Sequence, residues 1–179
     1  MSRTIVNPLI KDEVTFTQTA SGTNGRTTAL LVKLMPGGGT PLHYHRNFEE
    51  TFVVLEGQLT IELRNRKIVL MEGQDYTVER MDIHGFSNQS NKETIFTTII
   101  RPGSKGFENA LCILYGLAGD KRTNEKGIPL NILDLAVVSK MSDMRQAGAG
   151  KALWPLITVL DMIARITGLR KRLVNRYCS

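Results

Sequence analysis

Residues 37–57 read GGGTPLHYHRNFEETFVVLEG. This segment holds His43 and His45, two of the chain's three histidines, together with Glu49 and Glu50; the third histidine is His84. Side chains two apart on a strand share a face, so His43 and His45 project together, which is how one strand offers two nitrogens to one ion. Glu50 lies five positions after His45, the wrong parity for a continuous strand. The polar pair Arg46-Asn47 is where a turn resets it. Beyond that break Glu50, Phe52 and Val54 fall on one face and Thr51, Val53 and Leu55 on the other, placing a carboxylate at the mouth of an apolar interior. Gly37-Gly38-Gly39 has no following G-K-[ST] or helix to make a phosphate loop, and is expected to form a tight bend that brings backbone close to that mouth.

The spacing of Gly37, His43, His45, Glu50 and Gly57 resembles the first signature of the cupins, G-x5-H-x-H-x4-E-x6-G. Gly73, His84 and Asn88 stand at the matching offsets of the second, G-x5-P-x-G-x2-H-x3-N, with Glu79 and Met81 where its proline and inner glycine would be. Glu49 competes with Glu50, but only Glu50 has the six-residue spacing to Gly57. The resemblance is to single-domain cupins of the cupin 2, conserved-barrel type. It implies a mainly β fold, a jelly-roll-like double-stranded β-helix, with a metal held by His43, His45, Glu50 and His84. Three imidazoles and a carboxylate suit one divalent transition ion, Fe, Mn, Co, Ni, Cu or Zn, better than calcium or magnesium, which prefer oxygen cages.

The strand pattern agrees. An entering strand and its partner are expected within residues 12–35 around the turn Ser21-Gly22-Thr23-Asn24-Gly25. Further strands are expected at Thr51–Leu55, Gln58–Leu63, Lys67–Met71, Asp75–Val78 and Thr94–Ile100, with Asn65 in a left-handed turn position between two of them. After Arg101-Pro102-Gly103 the period changes. Phe107, Ala110, Leu111, Leu114 and Leu117 recur at helical spacing behind a cap at Ser104, and Leu133, Val137, Met141 and Met144 mark a second helix. Gly148-Ala149-Gly150 is expected to be a flexible joint before a third helix from Pro155 to about Leu169. The division is therefore a barrel domain, 1–103, and a helical extension, 104–179, whose LYGLAGDKRTNEKGIPLNIL resembles the extension of a group of small bacterial cupins.

Charge and composition exclude several classes. The net charge of +6 lies wholly behind the barrel: residues 1–103 hold 11 basic and 11 acidic side chains, residues 104–179 hold 12 and 6. Aromatics are only 6% and do not interleave with the basic residues, so nucleic acid is not an expected partner. MSRTIVNPLIKDEV has no apolar run of signal length, and Cys112 and Cys178 form no C-x-x-C pair, so a cytoplasmic location is expected. In the last helix apolar residues extend most of the way round, which asks for a second covering surface. Packing on the barrel or in a homodimer is the main expectation, and membrane association through this helix and Arg170-Lys171-Arg172 the lesser one.

Two functions follow. The first is a metal-dependent enzyme, an oxygenase, isomerase or lyase acting on a small oxygenated molecule, with Glu50 doubling as general base and Phe48, Phe52, Met81 and Phe86 walling the pocket. The alternative is a non-catalytic small-molecule or metal-binding module on the same barrel.

Overall fold

The computed structural model of the chain describes residues 3–147 and 152–178; the joint expected at Gly148-Ala149-Gly150 lies outside them. Alternation of apolar and polar side chains produces two antiparallel sheets. In the first the strands run in the order β1 (Arg3–Asn7), β2 (Asp12–Gln18), β3 (Thr28–Leu34), β10 (Thr94–Arg101), β5 (Glu49–Glu56), β8 (Asp75–Val78). In the second the order is β11 (Arg145–Gln146), β4 (His43–Tyr44), β9 (His84–Ser87), β6 (Gln58–Leu63), β7 (Lys67–Met71). The two sheets enclose one core, where Phe52, Val54, Leu59, Ile61, Phe96 and Ile100 are fully buried. Phe52, Phe86 and Phe96 meet with ring centroids 5.3–6.2 Å apart. Each fully buried ring of this size contributes about 1.5–3 kcal/mol.

The parity reading of β5 holds, with Glu50, Phe52 and Val54 buried and Thr51 and Val53 half-buried. The glycine bend also does what its sequence requires. A Cβ on Gly39 would sit 2.3 Å from the Phe86 carbonyl oxygen, so the chain crosses β9 too closely for any side chain. One turn differs from expectation. β6 and β7 pair as a hairpin, but Asn65 is not left-handed; the connection closes instead with the Leu63 N–H donating to the Arg66 carbonyl, 2.8 Å.

Four helices follow: α1 (Lys105–Gly119), α2 (Ile132–Ser142), α3 (Trp154–Ile166) and α4 (Leu169–Tyr177). Ser104 caps α1 by accepting from the Phe107 N–H, and Asn131 does the same for α2 with Leu133 and Asp134. α1 is fastened to the barrel by a buried carboxylate, Glu108, which accepts from the Ala20 N–H and the Thr28 hydroxyl, both 2.6 Å. The expected third helix is α3, and a fourth that was not expected follows it. Gly168 takes a left-handed conformation, φ 71°, and starts α4, whose Leu173 and Tyr177 pack with α1 and α2 in a second apolar cluster. α3 buries only Asp161 and Ala164. Asp161 is neutralised by Arg165 at 2.8 Å and Arg170 at 3.3 Å, while Leu153, Leu156, Val159, Met162 and Ile166 face outward. Cys112 and Cys178, remote in sequence, are both free; the Cys178 thiol donates to the Asn109 carbonyl at 3.6 Å, and its proximity draws the Cys112 thiol below the ordinary range. Among the described residues no helix is long and apolar enough to cross a membrane.

Candidate metal centre

Four side chains from three strands and one turn converge inside the barrel mouth. His43 comes from β4, His45 from just beyond it, Glu50 from β5 and His84 from the start of β9. Direct pairing of His43 with His84 across β4 and β9 sets the distance between those two rings, whose centroids are 4.4 Å apart. One ligand atom from each of the four lies within 4.8 Å of all the others, and all four residues are 2–5% exposed. Glu49, the competing carboxylate, points to the opposite, half-buried face of β5.

The hydrogen bonds select which nitrogen is presented. His43 Nδ1 lies 2.8 Å from the Pro41 carbonyl and His84 Nδ1 lies 3.0 Å from the Asp82 carbonyl. A carbonyl can only accept, so each Nδ1 carries a proton; His43 Nε2 turns its lone pair inward, while His84 Nε2 faces Glu50 with the proton that the two share. His84 Nε2 meets Glu50 Oε2 at 2.9 Å, and His45 Nε2 stands 3.8 Å from the same oxygen. His45 differs from the other two. Neither of its ring nitrogens makes a hydrogen bond of ordinary geometry, although it is buried, and its ring is stacked on Phe48 with centroids 4.3 Å apart. A buried imidazole with a free nitrogen aimed at a carboxylate and two other imidazoles is the donor arrangement that a transition ion completes.

The charge states fit as well. Burial opposes charge on Glu50, but attraction to His45 and the hydrogen bond and charge of His84 outweigh it and draw the carboxyl down to about 2. Burial, with repulsion from His84 and His45, lowers His43 to about 3, and burial likewise lowers His45. For His84 burial also favours the neutral ring, yet the hydrogen bond and charge of Glu50 prevail and raise it. At neutral pH the pocket thus holds an ionised carboxylate, two neutral imidazoles and a third imidazole that shares its proton with Glu50. These are forms a metal requires, with one proton to displace.

The other residues singled out from the sequence are placed as follows. Phe48 is buried against His45 and edges onto Phe107 of α1. Phe52 is fully buried, 6.4 Å from the His84 ring, and Phe86 is half-buried beside Phe52 and Phe96. Met81 projects its side chain to solvent, while its N–H donates to the His45 carbonyl at 2.7 Å. Asn88 is a scaffold residue, donating to the Leu34 and Lys92 carbonyls at 2.8 and 2.7 Å and so holding the turn after β9. Sequence reasoning missed Asp143, whose carboxylate accepts from the Arg46 and Asn47 N–H groups at 2.7 and 3.0 Å. An acid at a helix C-terminus, far along the chain, gives no sequence signal of this.

Comparison with known proteins agrees with this architecture. The cupin-domain family matches residues 30–100. No curated protein matches in sequence. Among solved structures, a predicted oxalate decarboxylase from Thermotoga maritima superposes with a TM-score of 0.50 at 17% identity, covering 57% of this chain and 92% of that one. KdgF from a Halomonas species gives 0.46 at 17%, covering 51% and 81%. The polyketide cyclase RemF from Streptomyces resistomycificus gives 0.46 at 22%, covering 51% and 65%. At these identities the likeness concerns the fold alone. Residues 30–100, which hold both histidine-bearing signatures and the buried three-histidine, one-glutamate group, thus match the cupin-domain family, and the two antiparallel sheets agree with that match.

Proposed function

We propose that the protein is a metal-dependent cupin enzyme, an oxygenase, isomerase or lyase acting on a small oxygenated molecule, with one divalent transition ion held by His43, His45, Glu50 and His84. The observation that carries this reading is the convergence of four buried ligand atoms within 4.8 Å, with two histidines already anchored through Nδ1 so that Nε2 faces inward. When bound, the ion supplies Lewis acidity at the coordination positions that four protein ligands leave open. The chain's own residues orient and exclude water. Phe48 and Phe52 shield the inner side, and Phe86 and Met81 are assigned to the substrate's approach. Glu50, at about 2, is first a ligand, and it becomes a base only when it leaves His84.

Burial of all four ligands supports the second reading, a non-catalytic metal- or small-molecule-binding module. The neighbours whose names state a decarboxylase or a cyclase keep enzymes of this fold in view, without transferring a substrate. Free Cys112 and Cys178 support a cytoplasmic location, and the outward apolar row of α3 supports a homodimer. The test is elemental analysis of tag-free protein, followed by turnover assays of hydroxy-carbonyl compounds under air with each candidate metal. About one ion per chain is expected, lost in the His43→Ala, His45→Ala double variant, with Glu50→Gln retaining part of the metal and no turnover. Equal metal in wild type and double variant would end the assignment; conversion-free ligand binding with every metal would select the binding module.

A further inference from the structure

We infer that Asp143 is a positioning residue of this centre, so that the helical extension and not the barrel alone sets the geometry of the ligands. The inference rests on the metal-binding reading above. His43 and His84 each have a carbonyl anchor on Nδ1; His45 makes no hydrogen bond of ordinary geometry, although the backbone and carboxylate of Asp143 lie close enough to its ring to favour the charged form. Its ring is oriented by Phe48 and by whatever holds its backbone. The backbone is gripped on both sides by one short stretch of the extension. Before His45, β11 pairs with β4, Gln146 opposite His43 and Arg145 opposite Tyr44. After His45, Asp143 Oδ2 takes the N–H groups of both Arg46 and Asn47. This is the turn that resets parity between His45 and Glu50, so its shape fixes the separation of the two ligands.

The clamp is itself braced. Asp143 is 6% exposed and leaves the end of α2 in a left-handed conformation, φ 51°, which directs its side chain away from the helix and into the barrel mouth. Its second oxygen, Oδ1, takes the Arg145 Nε–H at 3.1 Å. The Arg145 guanidinium in turn lies 3.8 Å over the centre of the Trp154 ring, at the start of α3. Two backbone donors and one guanidinium balance the buried negative charge, and the chain of contacts runs from the ligand turn through β11 to α3. Residues that orient metal ligands in this way change metal affinity about 10–100-fold when altered.

The experiment is cobalt(II) titration of metal-free full-length protein, wild type and Asp143→Asn, with a competing chelator and the visible spectrum recorded at saturation. Thermal unfolding of the metal-free forms checks the fold. Expected are a 10–100-fold weaker dissociation constant and an altered cobalt spectrum at saturation in the variant, which a purely structural role would leave as in wild type. Arg145→Met, which removes the brace but leaves the carboxylate, is expected to weaken cobalt at least threefold, and decides the matter if Asp143→Asn does not fold. Wild-type affinity and spectrum in the folded variant overturn the inference while leaving the metal reading intact. A wild-type protein that takes up no cobalt removes the metal reading, and the inference with it.

Discussion

Met81 holds a backbone conformation that side chains avoid. Its φ is 72°, at the position where the second cupin signature carries its inner glycine, so the turn before His84 keeps its left-handed form without the residue that adopts it freely. The conformation is retained because the Met81 N–H is committed to the His45 carbonyl. A left-handed residue with a Cβ costs about 1–2 kcal/mol, and glycine returns about 0.5–1 of that through the entropy of the unfolded chain. Met81→Gly is therefore expected to raise the thermal midpoint by about 2–3 °C with metal content unchanged. A lower midpoint in calorimetry would show that the methionine side chain contributes packing that its exposure hides. At this scale the site was legible, because His43, His45, Glu50 and His84 carry their spacing in the sequence. Asp143 was not, since its partners are backbone N–H groups 96 and 97 residues away and backbone leaves no compositional trace.

Between elements, the joint of β2 with α1 carries a titrating pair. The Tyr115 hydroxyl donates to Asp12 Oδ2 at 2.5 Å, and Asp12 Oδ1 is buried without a partner. Burial raises the Asp12 carboxyl from 3.8 to about 6 despite that hydrogen bond. The native state thus holds the proton more tightly than the unfolded chain, and stability falls as pH rises from about 4 to about 6, then levels. At about 1.4 kcal/mol per unit the loss is on the order of 3 kcal/mol. Asp12→Asn keeps an acceptor for Tyr115 and is expected to be more stable at pH 7.5 but not at pH 4, by urea unfolding at both values. An equal difference at the two pH values would reject the assignment. Elements with a long alternating pattern, β5, β6, β7, β8 and β10, were readable nearly to the residue. β4 was read from the spacing of its histidines but ends at Tyr44, short of His45, and β11 was not readable, because it is two residues long and wholly polar. The break between α3 and α4 was announced by Gly168 but masked by the apolar run that crosses it.

For the whole molecule, the outward face of α3 stands out as a row of uncovered apolar side chains among the described residues. Ile166 is 78% exposed, and Leu153, Leu156, Val159 and Met162 continue the row. Rows of this kind mark contact with another surface. With Leu156→Glu and Ile166→Glu introduced together, the solution mass by light scattering is expected to fall from two chains to one at micromolar concentration. A wild-type chain that is already single at that concentration would reject self-association, and sedimentation with anionic vesicles alone would assign the face to lipid.

The return of the extension to the barrel also sets an order of assembly. The strand bearing His43 receives its outer neighbour only when residues 145–146 arrive, after two helices have formed in between. Contacts closed over so long a stretch of chain form after local ones. On this ordering the clamp on the turn between His45 and Glu50 is expected to close late, after the barrel strands have emerged from synthesis. A chain interrupted before residue 143 would carry His43, His45, Glu50 and His84 without the clamp on the turn between them and without the strand beside His43.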